Sequence, residues 1–197
     1  VEAFIATTSL GSIWSSCSPD FGSKGVIERF SQINPKVLFI TDQYFYNGKK
    51  INVLNRLPEI LKLIPSIKSV VISNYPGKKL IKNKYKFKKI NLFKWNELMQ
   101  TNVEKINFKR FDFETELAIL YSSGTTGKPK CICHRSGGVL IQHLKEHQLH
   151  CDIKENDNVF YFTTCGWMMW NWLVSVLASN ASIVLFDGSP MYKTVLY

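Results

Sequence analysis

Leu117-Ala118-Ile119-Leu120-Tyr121-Ser122-Ser123-Gly124-Thr125-Thr126-Gly127-Lys128-Pro129-Lys130 joins a short apolar run to a stretch built almost wholly of glycine, hydroxyl and lysine residues. The apolar part has the length and composition of a buried strand, and the change at Ser122 marks a loop at its carboxyl end. Gly124 and Gly127 let backbone amides turn toward phosphate oxygens. The hydroxyls of Ser122, Ser123, Thr125 and Thr126 can donate to the same oxygens, and Lys128 and Lys130 add charge. A polyphosphate is the natural ligand of such a loop. The competing account, an ordinary polar surface turn, has no need of so many donors in one place.

A P-loop of the G-x-x-x-x-G-K-[ST] kind fails on two counts. Gly124 and Gly127 are separated by two residues instead of four, and Pro129 stands where the magnesium-binding hydroxyl would follow the lysine.

Working outward, apolar runs of strand length alternate with segments of helical period, the mark of an α/β fold with a largely parallel sheet. Ser12 to Cys17 and Lys36 to Thr41 read as strands around a helix from about Ser23 to Ile33, capped by Asp20 or Ser23 and closed by Pro35, making one βαβ unit. Tyr44 to Lys50 reads as a hairpin turning at Asn47-Gly48, Val53 to Ile64 as an amphipathic helix, and Ser69 to Ser73 as a buried strand. Gly138 to His150 has helical spacing. Val159 to Thr163 and Ile183 to Phe186 read as strands around a helix from Met169 to Ala178. One continuous α/β domain is the simplest account.

The composition, 45% hydrophobic and 13% aromatic, suits a folded globular chain. No segment reads as a leader or membrane span, since the longest apolar run, Phe160 to Ala178, is interrupted by Thr163, Thr164, Gly166 and Asn171. Cys17, Cys131, Cys133, Cys151 and Cys165 are odd in number and scattered, so they point to a reducing cytoplasm rather than a disulfide framework. The net charge of +10 would suit a nucleic-acid-binding module, yet Lys78, Lys79, Lys82, Lys84, Lys86, Lys88, Lys89 and Lys94 crowd into one stretch. A solvated surface insertion accounts for them. The sequence starts at Val1 inside a helix-like segment, Val1 to Leu10, and the expectation is an internal piece of a longer protein.

The loop with its preceding Tyr121 resembles the phosphate loop of the acyl-adenylating enzymes, Ser/Thr-Gly-Ser/Thr-Thr-Gly-x-Pro-Lys, without a gap. The likeness extends along the chain: Ser9 to Gly22, Asp42 to Lys49, Thr163-Thr164-Cys165-Gly166-Trp167-Met168-Met169-Trp170-Asn171-Trp172 and Phe186-Asp187-Gly188-Ser189-Pro190 are similar to the acetoacetyl-CoA synthetase family within that group. The resemblance implies part of the large N-terminal AMP-binding domain, residues 1–197, with mainly parallel sheets flanked by helices and the C-terminal domain absent. It implies ligation of acetoacetate to coenzyme A with ATP and Mg2+ through an acetoacetyl-adenylate, or, as the alternative, ligation of another short acid such as acetate or propionate.

By the same resemblance, Ser122, Ser123, Gly124, Thr125, Thr126, Gly127, Lys128 and Lys130 bind the ATP phosphates. Trp167, Met168, Met169 and Trp170 line the acyl pocket, and Ser16-Cys17-Ser18 face the coenzyme A end. The catalytic lysine and the adenine and ribose contacts lie outside the segment, so the chain alone is expected to be inactive. Small-molecule partners are implied, without nucleic acid. Asn180 stands where relatives tend to have glycine.

His143-Leu144-Lys145-Glu146-His147 fits the H-x-x-E-H zinc pattern, with His150 and Cys151 close by. A catalytic zinc needs a third ligand and a cleft, and solvent-facing or capping histidines are the reading preferred. His134 reads as a loop hydrogen-bonder. Cys131 and Cys133 alternate along a strand and read as buried thiols rather than metal ligands.

Overall fold

Glu2–Ser9 form helix α1, which buries Phe4 against Trp14 with ring centroids 5.6 Å apart, and Trp14–Ser15 form the short strand β1. The structure is a computed structural model describing residues 1–78, 87–101, 103, 105–122 and 127–190. These fall into two compact units, Val1–Ser18 with Ile106–Phe186, and Pro19–Lys105 with the residues from Asp187 on.

In the second unit a 3-10 turn at Pro19–Phe21 leads into α2, Gly22–Phe30. Neither Asp20 nor Ser23 caps this helix: Phe21 holds the cap position without a side-chain hydrogen bond. Asp20 is instead a hydrogen-bond partner of the Tyr44 hydroxyl. Next come β2 (Val37–Thr41), β3 (Gln43–Tyr46) and β4 (Lys49–Asn52). Strands β3 and β4 pair antiparallel with Tyr46 opposite Lys49. Asn47 and Gly48 sit at φ 48° and 72°, the left-handed pair that a two-residue hairpin turn requires.

Helix α3 (Leu57–Leu63) carries Pro58 in its first turn and buries Leu57 and Ile60; β5 (Ser69–Ser73), β6 (Asn91–Lys94) and α4 (Trp95–Leu98) follow. Strands β2, β5 and β6 make a parallel sheet. Val70, Val71 and Ile72 are all buried, as expected of a central strand covered on both faces. The crossover therefore runs from β2 through α3 to β5. The βαβ unit expected across α2 is not formed, because β1 pairs in another sheet.

Strand β6 corrects part of the lysine-rich insertion. Its residues are all exposed, so a short edge strand ending in Lys94 carries no alternation for the sequence to reveal. Lys79, Lys82, Lys84 and Lys86 lie outside the described residues.

The first unit resumes with β7 (Glu116–Tyr121), β8 (Cys131–Arg135), α5 (Ser136–Lys145) and a π-turn at Glu146–His150. Strand β7 is central, parallel to β1 and antiparallel to β8. Ala118 and Leu120 point from it into the interior. Cys131 and Cys133 are exposed rather than buried, since β8 is an outer strand of this sheet. His134 lies in the same strand, opposite Ala118, and not in a loop.

Strand β9 (Asn158–Phe160), α6 (Met168–Ser175) and β10 (Ser182–Val184) complete a second crossover, β9 parallel to β10. Ile153, Trp172, Leu173, Val176 and Ala181 form its core, with Val159, Met169 and Ile183 against them. Asn180 turns the chain at φ 56°, a conformation asparagine tolerates better than other non-glycine residues.

Candidate functional site

The polar loop leaves the carboxyl end of β7 and returns as β8. Its neck is closed by two hydrogen bonds: the Ser122 amide donates to the Lys130 carbonyl at 3.0 Å, and the Lys130 amide to the Ser122 hydroxyl at 3.2 Å. Immediately inside the ladder, Tyr121 stands opposite Cys131. Of the phosphate-binding candidates, Ser122 is half-buried, and Gly127, Lys128 and Lys130 are exposed around a buried Pro129. Gly127 adopts φ 147°, with open space where a Cβ would stand. Ser123, Gly124, Thr125 and Thr126 lie outside the described residues.

Strand β1 braces this end of the sheet. Ser15 Oγ donates to the Ile119 carbonyl at 2.8 Å and lies 3.1 Å from the Tyr121 hydroxyl. One residue on, the Ser16 hydroxyl donates to the Cys165 carbonyl and accepts the Trp14 indole N–H at 3.2 Å. The Cys165 thiol lies 3.1 Å from the Cys17 carbonyl. Two segments singled out separately, Ser16-Cys17-Ser18 and Thr163 to Gly166, are thus joined at the carboxyl end of β1, beside the strand that feeds the loop. Ligands of open α/β sheets gather at this edge.

Gly166 leads into Trp167, which occupies the cap position of α6 in extended conformation. Trp167 and Met168 are 54% and 44% exposed, large values for such side chains in a helix start. Met169 and Trp170 are half-buried, and Met169 lies against the core of the crossover. The four residues expected at the acyl pocket therefore divide: Trp167 and Met168 are exposed, Met169 and Trp170 are half-buried, and Met169 packs against the core.

The H-x-x-E-H segment faces inward. His143 and His147 are 5% and 0% exposed, which overturns the expectation of solvent-facing or capping rings. His143 Nδ1 lies 2.8 Å from Ser175 Oγ, and that hydroxyl donates to the Trp172 carbonyl at 2.7 Å. With its one proton so used, Ser175 accepts from His143, which places the proton on Nδ1. Glu146 Oε2 accepts the Trp172 indole N–H at 2.9 Å, and Gln142 donates to Oε1. The bonds from Gln142 and Trp172 outweigh partial burial and hold Glu146 below the ordinary carboxylate range.

Burial first, then the neighbouring His147, pushes His143 down to about 4. His147 packs edge-on to Trp172 at 4.6 Å, and burial lowers it as well. Sequence spacing identified the three polar residues but not their partners Trp172 and Ser175, whose helix is far along the chain. Among the described residues no group of three or more His, Cys, Asp or Glu could hold a metal ion.

Residues 1–196 match the AMP-binding enzyme family, and the chain belongs to it. Within that family it is similar to the acetoacetyl-CoA synthetase of Gallus gallus, at 47% identity over 97% of this chain and 29% of the relative. It is likewise similar to the acetoacetyl-coenzyme A synthetase of Rhizobium meliloti, at 46% identity over 96% of this chain and 29% of the relative. The solved acetoacetyl-CoA synthetase from Streptomyces lividans superposes with a TM-score of 0.85 at 39% identity, covering 95% of this chain and 28% of that one. The chain thus spans under a third of the length of these relatives.

Proposed function

We propose that this chain is the phosphate-binding part of an ATP-dependent ligase joining acetoacetate to coenzyme A. The observation that carries the reading is the donor-rich loop held at the carboxyl end of β7 by the Ser122–Lys130 neck. The likeness to acetoacetyl-CoA synthetases at 46–47% identity supports the substrate.

In this reading a carboxylate oxygen of acetoacetate bonds to the α-phosphorus of ATP as the bond from that phosphorus to the β-phosphate bridging oxygen breaks. Negative charge grows on the departing pyrophosphate. Backbone amides, the hydroxyls of Ser122, Ser123, Thr125 and Thr126, and the Lys128 and Lys130 ammonium groups are the donors this segment supplies for that charge. Coenzyme A then attacks the acyl carbon through sulfur and AMP leaves. Residues 122–130 contain no carboxylate, so this segment offers donors to phosphate rather than ligands to Mg2+; a metal ion would neutralise phosphate charge.

Trp167 and Met168 would meet the acyl group, and Ser16-Cys17-Ser18 would lie toward the thiol. Among the described residues no helix is long and apolar enough to cross a membrane, and all five cysteines are free. The free thiols support the reading of a reducing compartment such as the cytoplasm.

The test is acetoacetate-dependent exchange of labelled pyrophosphate into ATP, followed by thioester formation, by the complete protein carrying this chain. Acetate and propionate are run beside acetoacetate. Exchange with acetoacetate at the highest kcat/KM is expected. Preference for another short acid would move the substrate, and absence of exchange with every acid would remove the ligase reading. Positioning of the α-phosphorus needs contacts to adenine and ribose that this segment does not supply, so the segment alone should catalyse neither half-reaction.

A further inference from the structure

We propose that His143, Glu146 and His147 are positioning residues that clamp α6 through Trp172 and Ser175, and so set the depth of the acyl pocket. The inference rests on the reading that Trp167 and Met168 meet the acyl group. It gives the H-x-x-E-H segment a use that neither zinc chemistry nor solvent exposure supplies.

Met168, Trp172 and Ser175 stand at i, i+4 and i+7, one stripe of α6. The second and third members of the stripe are the two that α5 and its π-turn hold. Trp172 is gripped on two sides, its indole N–H by Glu146 at 2.9 Å and its ring by the edge-on His147 at 4.6 Å. Ser175 is gripped by His143 at 2.8 Å. The residue one turn before Trp172 is Met168, at the open end. A displacement of Trp172 along the helix axis must therefore move Met168 by the same amount.

An apolar contact between two helices tolerates sliding, because dispersion is weakly directional. A hydrogen bond from an indole to a carboxylate does not, and it is among the stronger kinds. The π-turn belongs to the same device. The Cys151 amide reaches back five residues to the Glu146 carbonyl at 2.9 Å, and such widened turns recur where function demands a local departure from the α-helix. Helix α5 in turn follows β8 directly, and β8 follows the loop at Lys130. The clamp thus ties the α6 stripe to the element that carries the phosphate loop, within one compact unit.

The experiment compares wild type, E146A, E146Q and W172F in the complete protein, with S175A as a milder variant should E146A fail to fold. Two quantities are read: the kinetics with acetoacetate, acetate, propionate and butyrate, and hydrogen–deuterium exchange over residues 167–175. E146A and W172F should raise KM for acetoacetate about tenfold, the scale of one hydrogen bond to a charged group. They should leave KM for ATP within about twofold, flatten the ranking of acids and speed exchange at 167–170. E146Q keeps an oxygen for the indole and should restore most of both readouts.

Faster exchange with an unchanged acid ranking would overturn the pocket-setting role. Unchanged exchange in E146A, W172F and S175A would overturn the clamp itself. Should wild type act on no acid, the ligase reading falls on its own, and exchange still decides whether the clamp holds α6.

Discussion

Ser122 and Lys130, eight positions apart, face each other across the mouth of the loop, each donating its backbone amide to the other residue. The pairing continues the β7–β8 ladder by one step, so the loop is closed at a fixed point at the sheet edge. Such a neck sets where the loop begins. The donors beyond it set what it binds.

Lys130→Ala keeps the backbone neck and removes one ammonium group from the proposed pyrophosphate site. Loss of one preorganised donor to developing charge costs about 10²–10³ in rate. In the complete protein, Lys130→Ala and Thr126→Ala should each slow pyrophosphate exchange by about a hundredfold, with KM for the acid within about threefold. Exchange at the wild-type rate in both would take the loop out of the mechanism.

Met168 and Met169 are adjacent in sequence and differ in surroundings, one 44% exposed and the other against the core. Met168→Ala should change the preference between acetoacetate and longer acids by a graded amount, since a pocket distinguishes one methylene by about 1–3 kcal/mol. Met169→Ala should lower stability by about 1–2 kcal/mol, less than a fully buried truncation, with little change in preference. Acid ranking and urea midpoints for the two variants separate these outcomes. An identical response from both would mean that exposure in this turn does not report the pocket.

The two faces of this helix start illustrate which parts of the molecule were legible in sequence. The Asn47-Gly48 turn is local, with every residue that matters contiguous, and the structure forms it where the sequence places it; the end of β7 at Tyr121, where the loop starts, is equally local. The partners of His143 and Glu146 are 32 and 26 residues away, and no pattern within α5 states that its histidines point inward. Strand β1 was visible, but its pairing with β7 across about a hundred residues was not, and sequence adjacency suggested α2 and β2 as companions. Strand β6 escaped notice because an exposed edge strand has no buried face to impose alternation.

The hairpin gives a test of local backbone chemistry. Gly48 sits at φ 72°, where a β-branched side chain is strained by about 1–2 kcal/mol. Gly48→Val should lower the thermal midpoint measurably, whereas Gly48→Asn, which tolerates this region, should cost less than half as much. Equal losses for the two would show that the turn relaxes to another type.

Stability at mildly acid pH should depend on His143. Its ring is buried with the His147 ring 6.1 Å away; His147 and, more weakly, His134 oppose a second positive charge, and only Glu146 favours one. The α6 groups facing it, Ser175 and Trp172, carry no charge. The folded-state value is about 4 against an ordinary 6.5, so between these two pH values the unfolded chain takes up a proton that the folded chain refuses. Stability is therefore full above about pH 6.5 and declines as pH falls toward 4, by roughly 2–3 kcal/mol from this group.

Because the Nδ1–H already serves Ser175, an added proton would go to Nε2 and leave that hydrogen bond in place. His143→Asn retains an N–H that can donate to Ser175 Oγ and has nothing to titrate. The variant should be less stable than wild type at pH 7.5, through lost packing, yet lose less on going to pH 5. Urea midpoints at pH 7.5, 6.0 and 5.0 measure both slopes. Parallel slopes in the two proteins would show that His143 is not the group that makes the fold acid-sensitive.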